Sequence, residues 1–148
     1  MKKIEEIVSP NFKNEIHKAV INIRYTSNYI GLLYNNQLNK FDLTLAQFNI
    51  LRILRGSDEK LSIKTIKNRM LEVSPNTTRL IDKLIAKNCV ERIRSEKDRR
   101  IVYISITEDG LAILKELDKQ FEEAYFDQNL TKEEAQTLNY LLDKFRNE

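Results

Sequence analysis

The run Ser74-Pro75-Asn76-Thr77-Thr78-Arg79-Leu80-Ile81-Asp82-Lys83-Leu84-Ile85-Ala86-Lys87 decides how the rest of the chain reads. At 100° per residue, Leu80, Ile81, Leu84 and Ile85 gather on one side. Pro75, Asn76, Arg79, Asp82 and Lys83 spread over the other. The spacing predicts a helix over 75–87 with an apolar inner face and a polar outer one. Ser74 is placed to cap it, because a hydroxyl accepts from an N–H that the helix leaves unpaired. Pro75, at the first helical position, sacrifices no hydrogen bond. Asn88 suits the left-handed residue that ends a helix.

Two short strands are expected downstream, over 90–95 and 100–106. The second alternates cleanly, with Val102, Ile104 and Ile106 on one face. Glu96-Lys97-Asp98-Arg99 between them holds no apolar residue, so the pair reads as an antiparallel hairpin with a charged tip. Upstream, Ser62 caps a short helix with Ile63, Ile66 and Met70 on one side, followed by the connection Leu71-Glu72-Val73. A short helix, a tight turn and a second helix with a polar face make a helix-turn-helix, and the hairpin makes it winged.

The flanks are helical. Residues 12–38 place Ile16, Val20, Ile23, Ser27, Ile30 and Tyr34 at alternating four and three spacing. Thr44 caps a second helix with Leu45, Phe48, Leu51 and Leu54 inward, ended by Gly56-Ser57-Asp58. Thr107-Glu108-Asp109 opens a fifth helix with two carboxylates at the positive end of its dipole. Thr131-Lys132-Glu133-Glu134 is a capping box for a sixth, with Leu138, Leu141, Leu142 and Phe145 inward. The expected fold class is mainly α with a small β part (α+β): a winged helix-turn-helix lobe over 41–107 and a helical dimerisation region from 1–40 and 108–148.

Composition narrows the function classes. The 148 residues are 41% hydrophobic and 32% charged, with 3 Gly, 2 Pro and no Trp, which suits amphipathic helices and not a β-sandwich or a disordered tail. Apolar runs stop at four residues, too short to cross a bilayer, and Glu5 and Glu6 fall where a signal peptide needs an apolar stretch. A cytoplasmic location is expected. One Cys and one His exclude an internal disulfide and a typical structural zinc site. No phosphate-binding glycine loop and no nucleophile–base pair call for a cofactor or for catalysis. The net charge of +3 conceals a gradient. Residues 64–107 carry 11 basic and 5 acidic side chains, whereas residues 108–148 carry 5 basic and 11 acidic.

The basic middle is where a polyanion fits, since each cation that neutralises a phosphate releases a condensed counterion. A helix fills the major groove of B-DNA, where Asn76 can pair with adenine and Arg79 can grip the two acceptors of guanine. Ser74 and Pro75 bring a helix N-terminus towards phosphate. Thr77 and Thr78 suit phosphate or a thymine methyl, and Lys83 and Lys87 the backbone. On the hairpin, Arg92, Arg94, Lys97, Arg99 and Arg100 lie within nine residues. An arginine at such a tip fits the minor groove, where negative potential is focused. Asp98 stands two residues before Arg100 and can hold its guanidinium in a planar fork. The competing reading, a winged helix that docks on protein without reading DNA, requires an apolar outer face on 75–87.

From Leu45 to Leu114 the chain resembles the MarR family of bacterial winged-helix regulators. The likeness is carried by Leu45-x-x-Phe48-x-Ile50-Leu51, by Ser74 to Leu84, by Val90-Glu91-Arg92, and by Asp98-Arg99-Arg100 followed by Ile104 to Gly110. It implies a homodimer whose first, fifth and sixth helices form a triangular dimerisation domain. It implies a fourth helix in the major groove and a wing tip in the minor groove, with contacts on Pro75, Asn76, Arg79 and Arg100 and support from Asp98. Many relatives have Gly-Leu before the wing strand, where this chain has Asn88-Cys89. The peroxide-sensing branch keeps a reactive cysteine near the start of the first helix, where this chain has none, so Cys89 reads as packing.

Two copies are also expected on physical grounds. A winged lobe of about 70 residues cannot cover the apolar stripes of three long helices, and two-fold pairing would. The operator is then a pseudo-palindrome with half-site centres about 10 bp apart. Family members often bind small aromatic or phenolic anions between dimer and DNA-binding regions. His17, Arg24, Tyr25, Tyr29 and Tyr34, with Arg52 or Arg55, are the residues here that would meet such an effector. The sequence thus points to a ligand-responsive transcriptional repressor that binds double-stranded DNA.

Overall fold

The computed structural model describes residues 2–8, 11–71, 76–95, 101–123 and 129–147. The chain runs α1 (Glu15–Leu38), α2 (Leu45–Arg55), β1 (Leu61–Ser62), α3 (Ile63–Arg69), α4 (Thr77–Ala86), β2 (Val90–Arg94), β3 (Val102–Ile106), α5 (Glu108–Glu123) and α6 (Lys132–Arg146). The mainly helical winged helix-turn-helix expected from the sequence is what forms. No helix among the described residues is long and apolar enough to cross a membrane.

Local chemistry explains where the helices begin. Asn14 caps α1, whose first residue, Glu15, is three residues later than the periodicity alone placed it, by accepting from the His17 N–H at 2.8 Å. Thr44 and Gln47 close a reciprocal capping box on α2, and Thr131 and Glu134 do the same on α6. Ser62 accepts from the Thr65 N–H to start α3. The turn between α1 and α2 passes through Asp42 in the left-handed region (φ 51°). Asn88 takes φ 57°, and the Cys89 N–H returns to the Leu84 carbonyl at 2.9 Å, the Schellman closure expected of that residue.

The sheet has three strands in the order β1-β3-β2, all antiparallel. β1 is a two-residue strand that no alternation announces; Leu61 pairs with Ile104 and Ser62 with Tyr103. Val90, Arg92 and Arg94 stand opposite Ile106, Ile104 and Val102, so these six share one face of the hairpin.

One core joins the lobe to the flanking helices. Phe48, Ile50, Leu51 and Leu54 of α2 meet Ile66 of α3, Ile81 and Leu84 of α4, Cys89, Val90, Ile104, and Leu114 and Leu117 of α5. Arg55 adds a two-pronged ion pair to Asp118, at 2.5 and 3.3 Å, tying α2 to α5. α5 starts hard against the wing. The Thr107 hydroxyl donates to the Asn88 carbonyl at 2.5 Å and accepts from the Gly110 N–H. A Cβ at Gly110 would overlap the Cys89 carbonyl oxygen and sit 2.8 Å from Ile106 Cγ1, so only glycine permits this approach.

One expectation needs correction. Leu138, Leu141 and Phe145 of α6 do not turn inward; they are 45, 52 and 55% exposed, and only Leu142 is half-buried. On α1 the stripe begins with Ile16 at 71% exposure. The four-three spacing is present, but among the described residues nothing covers Ile16, Val20 or Ile23, whereas Tyr34 at the far end of the α1 stripe packs against the core.

Candidate nucleic-acid interface

α4 presents the face the sequence promised. Ile81 and Leu84 are buried, Leu80 and Ile85 half-buried, and Asn76, Thr78, Arg79, Asp82 and Lys83 exposed. Arg79 and Lys83 make no ion pair among the described residues, whereas Lys18, Arg55, Lys87, Arg92 and Arg146 all do. Guanidinium and ammonium groups that stand free beside one another on a helix present donors and positive charge without first breaking a bond. The outer face is polar, opposite to what a protein-docking helix requires.

The first turn differs from the sequence reading. α4 begins at Thr77, with Asn76 in the capping position and no side-chain bond there. Ser74 and Pro75, expected to open it, lie outside the described residues. Thr77 was expected to face nucleic acid. Instead it is buried, with its hydroxyl 3.7 Å from the Met70 sulfur. It stands on the side of the helix that Ile81 and Leu84 also occupy, one and two turns on, and so belongs to the core.

On the wing, Arg92 and Arg94 are exposed. Arg94 makes no ion pair among the described residues, but Arg92 reaches back to α4 and binds Asp82 at 2.5 Å. Sequence reasoning treated these as equivalent cations. The Asn88 turn, which folds β2 back along α4, makes them different. Lys97, Asp98, Arg99 and Arg100 lie outside the described residues. Lys87 was expected near the DNA backbone. It turns away instead, donating to both the backbone carbonyl and the carboxylate of Asp42, the latter at 2.7 Å. That bond and charge hold the Asp42 carboxyl below its ordinary range.

Behind the lobe, α1, α2 and the end of α3 enclose an open cleft of about 1300 Å³. Arg24 and Tyr25 of α1 and Arg52 of α2, all expected to meet an effector, line it together with Tyr34. Arg52 lies over the Phe48 ring at 5.8 Å, and Tyr34 and Phe48, with centroids 5.8 Å apart, give the cleft an aromatic lining that Phe121 packs against from behind. His17, Tyr29 and Arg55 do not line it. The ring of His17 accepts from the Lys13 N–H and packs edge-on to Phe12, Tyr29 projects from an exposed face of α1, and Arg55 is held by Asp118. Arg69 at the end of α3 and Met70 just after it also line the cleft, and no local spacing could have found them, because the fold brings them to α1 across more than thirty residues. Cys89 is buried, and desolvation raises its thiol pKa, the environment of a packing cysteine rather than a reactive one.

Comparison with known proteins agrees with this geometry. The family model described as transcriptional regulator SarA/Rot matches residues 32–117. The HTH-type transcriptional regulator SarZ of Staphylococcus aureus is 36% identical over 105 residues, covering 71% of this chain and 70% of SarZ. Among solved structures, a MarR-like regulator from Bacillus cereus superposes with a TM-score of 0.78 at 22% identity, over 90% of this chain and 96% of that one. A cysteine-to-serine mutant of MarR from E. coli, solved with operator DNA, superposes with a TM-score of 0.73 at 29% identity, over 91% and 98%. With its polar reading face, its basic wing and these relatives, the chain belongs to the SarA/Rot family of MarR-like, DNA-binding winged-helix transcriptional regulators, a family of regulators and not of enzymes.

Proposed function

We propose that the chain acts in the cytoplasm as a homodimeric repressor that binds a pseudo-palindromic operator in a sequence-specific way. The observation that carries this is the placing of Arg79 and Lys83 together on the exposed face of α4, neither in an ion pair among the described residues, next to a wing whose Arg94 is likewise free of one. Arg79 is the base reader and Asn76 and Thr78 its neighbours; Lys83 and Arg94 serve the backbone. Ser74, Pro75, Lys97, Asp98, Arg99 and Arg100 complete the interface in this reading. The open stripes of α1 and α6 are what a second copy covers, giving residues 1–40 and 108–148 a dimerisation role.

A duplex selected from a randomised pool by the native protein provides the operator for the test. Arg79→Ala should lose about 1–3 kcal/mol, roughly five- to 150-fold, and relax preference at one position of that duplex. Lys83→Ala should weaken selected and unrelated duplexes alike. Equal retention of full affinity by both variants overturns the assignment of contacts.

The cleft supports a ligand response. Arg24, Arg52 and Arg69 from three helices stand around an aromatic floor, a combination that favours an aromatic anion. Such a ligand shifts the dimer away from its DNA-binding form only by its differential affinity for the two forms. Benzoate, used as a probe, should raise the melting temperature and weaken binding to the selected duplex, and Arg52→Met should abolish both effects. Benzoate that changes neither removes this part of the reading.

A further inference from the structure

We infer that Asp82 and Arg92 form a brace that fixes the wing against the reading helix, with Arg92 a positioning residue rather than a phosphate contact. Three observations lead there. Arg92 stands opposite Ile104, which is fully buried, so its stem leaves the sheet on the core side together with Val90 and Ile104. From that side the guanidinium Nη2 meets Asp82 Oδ1 at 2.5 Å, across the angle between β2 and α4. Asp82 is moreover a carboxylate on the same exposed face as Arg79 and Lys83. A negative charge there repels a polyanion and weakens association unless it holds something in place.

Val90 and Ile104 fix the base of the hairpin in the core, and the ion pair adds a link between the exposed parts of β2 and α4. An exposed ion pair contributes little to global stability. Its consequence is therefore expected in geometry: helix and wing address neighbouring grooves together only if their separation is held. Loss of the pair leaves each element its charge but not their common register. The discrimination readout below rests on the proposed sequence-specific reading; the DNA-free readout does not.

The experiment compares the native full-length protein, Asp82→Asn, Arg92→Met and the reversed pair Asp82→Arg/Arg92→Asp. Each is titrated on the selected duplex and on an unrelated duplex of equal length, with thermal melts alongside. The brace predicts that Asp82→Asn lowers the ratio of selected to unrelated affinity about tenfold, binds the unrelated duplex at least as tightly as before, and melts like the native protein. Arg92→Met should lower the ratio similarly, and the reversed pair should restore most of it. Mere removal of a repulsive charge predicts the opposite: Asp82→Asn tightens both duplexes equally with the ratio unchanged, which overturns the inference. In the DNA-free protein, NMR should find rotation of the Arg92 guanidinium restricted and that of Arg94 free, with Arg92 released by Asp82→Asn. Arg92 rotating as freely as Arg94 overturns the brace whatever the DNA titrations give. A native protein that does not discriminate between duplexes refutes the sequence-specific reading instead, and the guanidinium measurement then decides the brace alone.

Discussion

In the winged lobe, apolar periodicity ends in burial: Phe48, Leu51, Ile66, Ile81, Leu84 and Ile104 are closed off by one another and by Leu114 and Leu117. In the N-terminal half of α1 and in α6 the same kind of spacing ends in solvent, with Ile16, Val20 and Ile23 exposed on one helix and Leu138, Leu141 and Phe145 on the other. α5 belongs to both regions, packing on α2 through Leu114 and Leu117 and bonding Arg55 through Asp118. The contrast separates two things that one pattern encodes. Periodicity states which side of a helix avoids water, and it is silent on whether the covering surface lies in the same chain. Exposed apolar stripes of this kind fit the dimer contact proposed above.

The largest effect should follow from breaking that face. Leu138→Glu combined with Leu141→Glu puts two charges on the α6 stripe. Sedimentation should show the native protein as a dimer and the variant as a monomer. Affinity for the selected duplex should fall about a hundred-fold, because two half-sites are no longer bound as one unit. Circular dichroism should be nearly unchanged, since neither side chain supports the lobe. A native protein that sediments as a monomer would remove the need for a partner and merge the two regions into one physical class.

A smaller effect distinguishes two glycines, one in each region. At Gly110 a methyl group would overlap the Cys89 carbonyl oxygen, where α5 begins against the wing. Gly110→Ala should cost about 1–3 kcal/mol and lower the melting temperature by several degrees. At Gly31, inside α1, a Cβ meets nothing within 4 Å. Gly31→Ala should stabilise by up to about 1 kcal/mol, because alanine loses less backbone entropy in a helix. Equal melting temperatures for the two variants would mean that the lobe is no more tightly packed than the arm.

What the sequence made legible follows the same division. Local signals read correctly: the caps at Thr44, Ser62, Thr107 and Thr131, the left-handed Asn88, and the inner and outer faces of α4. Each depends on residues within a few positions of one another. Thr77 was misplaced because a threonine at the start of a helix looks like a polar contact, and only tertiary packing shows that it points at Met70. β1 escaped notice because two residues cannot show a period. The Asp82–Arg92 and Lys87–Asp42 pairs and the Arg69 wall of the cleft required the tertiary fold, since residue type and local spacing cannot distinguish a paired cation from a free one.

The smallest effect lies at the joint between the two regions. Lys87, at the end of α4, donates to the carbonyl and carboxylate of Asp42, the left-handed residue that turns the chain from α1 into α2. The Lys87 hydrogen bond and charge lower the Asp42 pKa. A carboxylate with a depressed folded value favours the folded state above its ordinary pKa, and that contribution fades as pH falls through the lowered value. Lys87→Met should therefore return the Asp42 titration, followed by carboxyl NMR, towards the ordinary carboxylate range. Melting at neutral pH should barely move, because the Asp42 side chain is 97% exposed and screened by water. An Asp42 titration that Lys87→Met leaves unchanged would mean the two groups do not interact in solution. α4 would then be tied to the α1–α2 turn by apolar packing alone, leaving Arg55–Asp118 and the Thr107–Asn88 bond as polar links between the lobe and the long helices.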